Sequence, residues 1–186
     1  MTVTTLDPKT ALIVIDLQKG IVARPAAHPI DDVVTHCVAL TEAFRGRGLP
    51  VVLVNVAGGA RGRTEQPRAP MDLPAGWTDL IPQLNRQPRD HVVTKHTPGA
   101  FTNTGLEAHL RALGVTQVVI VGVATSNGVE VTARQAFELG FNVTLATDAM
   151  TDLRADAHAW SVTQVFPRIG ETGATREIID LLEKGV

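Results

Sequence analysis

Three positions place reactive or charge-stabilising groups where a parallel α/β sheet keeps its chemistry. Asp16 ends the apolar run ALIVID, Lys95 ends HVVTK, and the turn ATSNG at 124–128 follows the apolar run VVIVGV. Strands buried on both faces of a parallel sheet read as such runs, and open α/β sheets bind ligands in the crevice beyond their carboxyl ends. A carboxylate and an ammonium there make a proton-handling pair: the cation favours the ionised acid and stabilises an anion forming on a substrate. The turn adds free backbone N–H groups at the start of a helix, whose dipole favours negative charge. Gln18, two residues beyond Asp16, is expected to line the same pocket.

Other groups near strand ends are weaker candidates. The loop after the second strand carries Arg61, Arg63 and Arg68, and guanidinium groups there can grip a substrate carboxylate bidentately. A solvated loop or a subunit contact is an equal reading of the same residues. The glycines of this loop lack the order of a phosphate-binding loop and no helix opens behind them. Ala124, Thr125 and Ser126 are assigned to substrate binding; the spacing puts no histidine beside the two hydroxyls to make either a nucleophile. Cys37, the single cysteine, falls on the apolar face of a helix as a small buried hydrophobe and has no partner for an internal disulfide.

The elements that position these groups follow from period and punctuation. Strands are predicted at 10–17, 50–56, 91–95, 118–123 and 141–146, with a short edge strand within 168–173 and an exit loop at 148–152. Helices are predicted at 30–47, 105–113, 126–140, 156–166 and 175–184, and a short one near 78–84. Asp31 and Asp32 suit the first turn of the helix that Gly48 stops, and Thr104 is placed as a cap. The alternation predicts one α/β domain over residues 1–186, a three-layer Rossmann-like architecture with a mainly parallel six-stranded sheet and helices on both faces.

Asp16, Lys95 and the segments KHTPGAFTNTGLEAHL and GVATSNGVEVTARQAFELGFNVTLATDAMTD resemble the isochorismatase-like (cysteine hydrolase) family over residues 10–152. The resemblance implies catalytic roles for Asp16 and Lys95 and puts Gly128 where the family usually has its nucleophilic cysteine. It also implies a cis bond between Val123 and Ala124, and a Phe101 that packs over the substrate. In the thiol members the cysteine attacks an amide carbonyl and the Asp takes its proton; Gly128 has no side chain to be acylated. True isochorismatases also carry Gly there and use the Asp as a general acid on a vinyl ether, but their Tyr-Ala-His run reads Ala124-Thr125-Ser126 here. Nicotinamidase-type relatives hold a metal with Asp and His after the second strand, and the loop here has neither, so no metal or other cofactor is expected. Three readings follow: a hydrolase using Asp16 and Lys95 on a small polar or carboxylate-bearing substrate without a thioester, an authentic isochorismate hydrolase, or a catalytically silent small-molecule-binding scaffold. Family habit also implies a homo-oligomer, with the Trp77 and Trp160 regions as candidate contacts.

Composition sets outer bounds. The 186 residues are 44% hydrophobic and 19% charged with a net charge of −2, an ordinary globular balance. With no run of like charge, no nucleic-acid or polybasic membrane partner is expected. No apolar stretch reaches the roughly 20 residues needed to cross a bilayer, and a cytoplasmic enzyme with a small-molecule substrate is the expectation. Tyr is absent, which removes one common proton donor.

Overall fold

The computed structural model describes residues 3–65 and 73–185; Arg68 lies outside them. Strands β1 (Thr10–Ile15), β2 (Val51–Val56), β3 (His91–Lys95), β4 (Gln117–Val123), β5 (Asn142–Thr151) and β6 (Glu171–Gly173) form one sheet in the order β3-β2-β1-β4-β5-β6. Every pairing is parallel. Every residue of β1 and β4 is buried, because helices cover both faces. Alternate side chains divide between the two layers. Ala11, Ile13, Ile15, Val118 and Ile120 join the core beneath α3 (Leu106–Ala112) and α4 (Glu130–Glu138). Leu12, Val14, Val119 and Val121 join the core beneath α2 (Ile30–Gly46) and α6 (Thr175–Lys184).

Local sequence explains these elements. α2 buries Val33, Cys37, Leu40 and Phe44, a stripe at helical spacing, and Asp31 and Asp32 sit in its first turn where the dipole favours them. Ahead of α3, the Thr104 hydroxyl accepts the Leu106 N–H at 3.3 Å, so it does serve the helix start, with Gly105 between them at φ 75°.

Five segments depart from the sequence expectation, the first being the unforeseen short helix α1 (Lys19–Val22) in what the sequence reads as a loop. β5 runs on to Thr151 instead of ending at 146: a bulge opposite Ile120 to Gly122 restores pairing of Gly122 with Met150 and Val123 with Thr151. The helix expected near 78–84 contracts to one 3₁₀ turn, Pro82–Leu84. The helix expected over 156–166 is α5 (Ala155–Trp160), then a π-helical turn Ser161–Val165 and a 3₁₀ turn Phe166–Arg168. α4 is preceded by a π-helical turn at Thr125–Val129. The Trp77 ring is half-buried and packs against Gly20, whereas Trp160 is 65% exposed. Among the described residues, no helix is long and apolar enough to cross a membrane.

The strand order reverses at β1 and β4, so their connections leave in opposite directions and open a crevice at the shared carboxyl end. A glycine makes that end fit: Gly122 has φ 112°, and a Cβ there would lie 2.1 Å from the Ile15 carbonyl oxygen. Any other residue would push β1 away from β4 just where Asp16 emerges.

Candidate active site

Asp16 leaves β1 in a left-handed conformation, φ 52°, uncommon for a residue with a Cβ and worth about 1–3 kcal/mol of strain. Its N–H donates to Val54 O at 2.9 Å and its carbonyl accepts the Gln18 N–H at 2.8 Å, which fixes the bend. Lys95 ends β3 two strands away. Its Nζ lies 2.8 Å from Asp16 Oδ2 and donates to Pro98 O at 2.8 Å.

Both side chains are nearly dehydrated, Asp16 at 5% and Lys95 at 1% exposure. Asp16 Oδ1 is buried with no hydrogen-bond partner among the described residues. Burial pushes the Asp16 carboxyl up to about 6, against the charge and hydrogen bond of Lys95, which pull it down. Desolvation wins, leaving an acid that exchanges its proton near neutral pH.

Gly128 completes the group. It lies in the π-helical turn just beyond the Val123–Ala124 peptide bond, which is cis. A Cβ on Gly128 would lie 3.3 Å from Asp16 Oδ2 and 3.4 Å from Lys95 Nζ. All three residues line one cavity of about 420 Å³, a size typical of small-molecule pockets. Ala124 also lines it, with Ile21, Ile30, Val56 and Leu153 as apolar wall.

The remaining sequence candidates lie elsewhere. Gln18 is fully buried: its Oε1 accepts the Val56 N–H at 2.7 Å, and its Nε2 donates to Val56 O at 3.0 Å and Trp77 O at 3.3 Å. It ties the end of β2 to the Trp77 segment and does not line the cavity. Gln18→Ala is therefore expected to cost about 1–3 kcal/mol in urea denaturation, by orphaning the Val56 amide, with ligand affinity unchanged.

Arg61 and Arg63 are exposed and outside the cavity wall, which among the described residues this loop lines through Gly58, Gly59 and Ala60. Phe101 is partly buried and packs against the core beneath α3 and α4, with its ring 6.0 Å from that of Phe141. Thr125 is fully buried and its Oγ1 lies 2.8 Å from Nδ1 of His158, the neighbour that spacing did not reveal. Ser126 donates its N–H and its hydroxyl to Asp152 Oδ2 at 2.7 and 2.8 Å. Neither hydroxyl lines the cavity; together they pin the turn that carries Gly128 to α5 and to the end of β5. His158 stands edge-on to His28 at 4.6 Å, and burial followed by the His28 charge lowers its pKa.

Sequence reasoning missed Arg24, Asn127 and Asp152, which do line the cavity. Asn127 and Asp152 flank motifs already singled out, and their adjacency to Gly128 and to the end of β5 was the available signal. Arg24 lies in a loop whose course only the tertiary fold determines. Among the described residues, no three His, Cys, Asp or Glu side chains cluster as metal ligands.

Comparison with known proteins agrees with this geometry. The chain is 39% identical over 182 residues to the uncharacterized isochorismatase family protein YwoC of Bacillus subtilis, covering 92% of this chain and 93% of that one. It is 37% identical over 140 residues to a streptothricin hydrolase of Streptomyces noursei, covering 75% of this chain and 48% of that one. The solved structure of an isochorismatase family protein from Burkholderia thailandensis superposes with a TM-score of 0.92 at 41% identity, covering 96% of this chain and 98% of that one. The isochorismatase domain profile matches residues 10–177, the span that contains every strand of the sheet and all three residues of the Asp16–Lys95–Gly128 group, and the chain belongs to the isochorismatase family.

Proposed function

We propose that the protein is a hydrolase in which Asp16 handles the proton, Lys95 balances charge, and a small polar or carboxylate-bearing substrate is cleaved without a covalent enzyme intermediate. The observation that carries this reading is the space over Gly128: the position of its missing Cβ is within 3.3 Å of Asp16 Oδ2 and 3.4 Å of Lys95 Nζ, inside an open cavity. By resemblance thiol relatives project their nucleophile from that position into the cavity, and here a water molecule lying beyond it can take the nucleophile's place. A silent scaffold would be expected to fill this pocket with side chains.

In the step we propose, the water oxygen bonds to the substrate's carbonyl carbon while Asp16 takes a water proton. The carbonyl π electrons move onto oxygen, where turn N–H groups and Lys95 stabilise them. Collapse reforms the carbonyl and breaks the bond to the leaving group, which receives the proton from Asp16. The streptothricin hydrolase among the relatives is in keeping with hydrolytic chemistry on this scaffold.

The raised Asp16 pKa favours a second reading, in which the neutral acid protonates a vinyl ether as in isochorismate hydrolysis. The two differ in the sign of one limb. A base needs the carboxylate, so kcat/KM rises with pH and levels above about 6; an acid needs the protonated form, so kcat/KM falls above about 6.

The test is turnover of isochorismate and a panel of amides and ureides across pH 5 to 8, before and after iodoacetamide. The proposal expects amide or ureide turnover with the rising limb, unaffected by alkylation, since Cys37 is the single cysteine, is fully buried, and has its thiol pushed far up by burial. Inactivation by iodoacetamide would overturn the thiol-free mechanism, and turnover confined to isochorismate with the falling limb would select the vinyl-ether reading.

A further inference from the structure

Among the described residues, four ionisable ones line the cavity: Asp16, Lys95, Asp152 and Arg24. The first two neutralise each other at 2.8 Å. Asp152 is 5% exposed; its Oδ2 accepts two bonds from Ser126, and its Oδ1 accepts the Arg154 N–H at 3.3 Å. Arg24 differs, because its exposed guanidinium has no hydrogen-bond or ion-pair partner among the described residues. Among the described residues it is the cavity's uncompensated cation.

The backbone beneath Arg24 is held on both sides. Its N–H donates to Ile21 O at 3.1 Å at the end of α1 (Lys19–Val22). Pro25 follows and confines Arg24 to extended conformations. Beyond the proline, the Ala27 N–H donates to Asp152 O at 2.7 Å and the His28 N–H to Thr151 Oγ1 at 3.2 Å. Because the backbone is already anchored, only the side chain's rotamer freedom is lost when the guanidinium grips a planar anion.

We propose that Arg24 is the carboxylate anchor of this cavity. Its ligand is an organic anion whose carboxylate meets Arg24, whose apolar spacer runs along Ile21, Ile30 and Leu153, and whose polar end reaches the Asp16–Lys95–Gly128 group. The part of this inference that makes the polar end a scissile group rests on the hydrolase reading; the anchor itself does not.

The probes are the monoamide acids from malonamate to adipamate and the corresponding diamides, titrated calorimetrically into the Asp16→Asn/Lys95→Met protein, where no turnover interferes and no unpaired Lys95 competes for the carboxylate. At least one acid is expected to bind about tenfold or more tightly than its diamide, the scale of a charge-assisted pair. Arg24→Ala should erase that preference, while Arg24→Lys keeps part of it as a point charge. Equal affinity of acids and diamides, no binding by the entire acid series, or a preference that survives Arg24→Ala overturns the anchor. Turnover by the wild type reports separately. An acid preference without hydrolysis keeps the anchor and removes the hydrolase reading; hydrolysis without the preference does the reverse.

Discussion

Asp16→Asn should lower kcat/KM by about 10²- to 10⁴-fold, the usual contribution of a positioned acid or base, with calorimetric binding retained. The replacement keeps the shape of the side chain and removes its ability to exchange a proton. Stability supplies an independent readout. The folded-state pKa of Asp16 is raised from its ordinary 3.8 to about 6. Its contribution to stability is therefore fully present below pH 3.8 and is lost as pH rises through 6, a loss of about 3 kcal/mol at neutral pH. Asn does not titrate and escapes that loss, though it leaves Lys95 without its counter-charge at every pH in this window. The urea midpoint of the variant relative to wild type should therefore rise between pH 4 and pH 6 and stay level above it. A difference independent of pH would mean that Asp16 is not the buried, perturbed acid described above, and unchanged turnover would remove it from the chemistry.

The fold was legible because burial on both faces of a parallel sheet writes itself as apolar runs, and ALIVI and VVIVGV are such runs. What was not legible was set by pairing. The last residues of β5 extend as strand because the bulge beside Gly122 returns Met150 and Thr151 to register, and nothing within DAMT announces that. Pro167 opens the 3₁₀ turn Phe166–Arg168, a visible signal in a stretch whose amphipathic pattern reads as one continuous helix.

The site was legible where the strand-end rule applies. Asp16, Lys95 and Gly128 each occupy such an end or the turn just after it, and they meet. The rule fails where a side chain has a closer partner than the ligand: Gln18 bonds to Val56, Thr125 to His158 and Ser126 to Asp152. These polar side chains face one another across segments far apart in sequence, so spacing alone cannot separate a strut from a ligand contact. The same limit sent the search for a carboxylate anchor to Arg61, Arg63 and Arg68, when among the described residues the arginine on the cavity wall is Arg24.

Lys95→Met separates the two duties assigned to that lysine. Its charge and its hydrogen bond both hold the Asp16 carboxyl down, so removing them must raise the Asp16 pKa above 6. For a base mechanism the rising limb of kcat/KM then moves to higher pH, which by itself lowers activity at pH 7 and is recovered at pH 9. If Lys95 also stabilises the anion forming on the substrate, a further loss of about 10²- to 10³-fold persists on the alkaline plateau. A variant whose plateau equals that of wild type would confine Lys95 to tuning Asp16. Stability should follow the same titration. Between pH 3.8 and 6 both proteins lose stability in parallel, because Asp16 ionises in the unfolded chain and stays protonated in the folded one; above 6 the wild-type loss levels off while the variant continues to lose up to about 1.4 kcal/mol per pH unit until its own higher pKa is passed. The gap between the two denaturation curves must therefore widen with pH from 6 upward, and a gap that stays constant or narrows would show that Lys95 does not hold the carboxyl down.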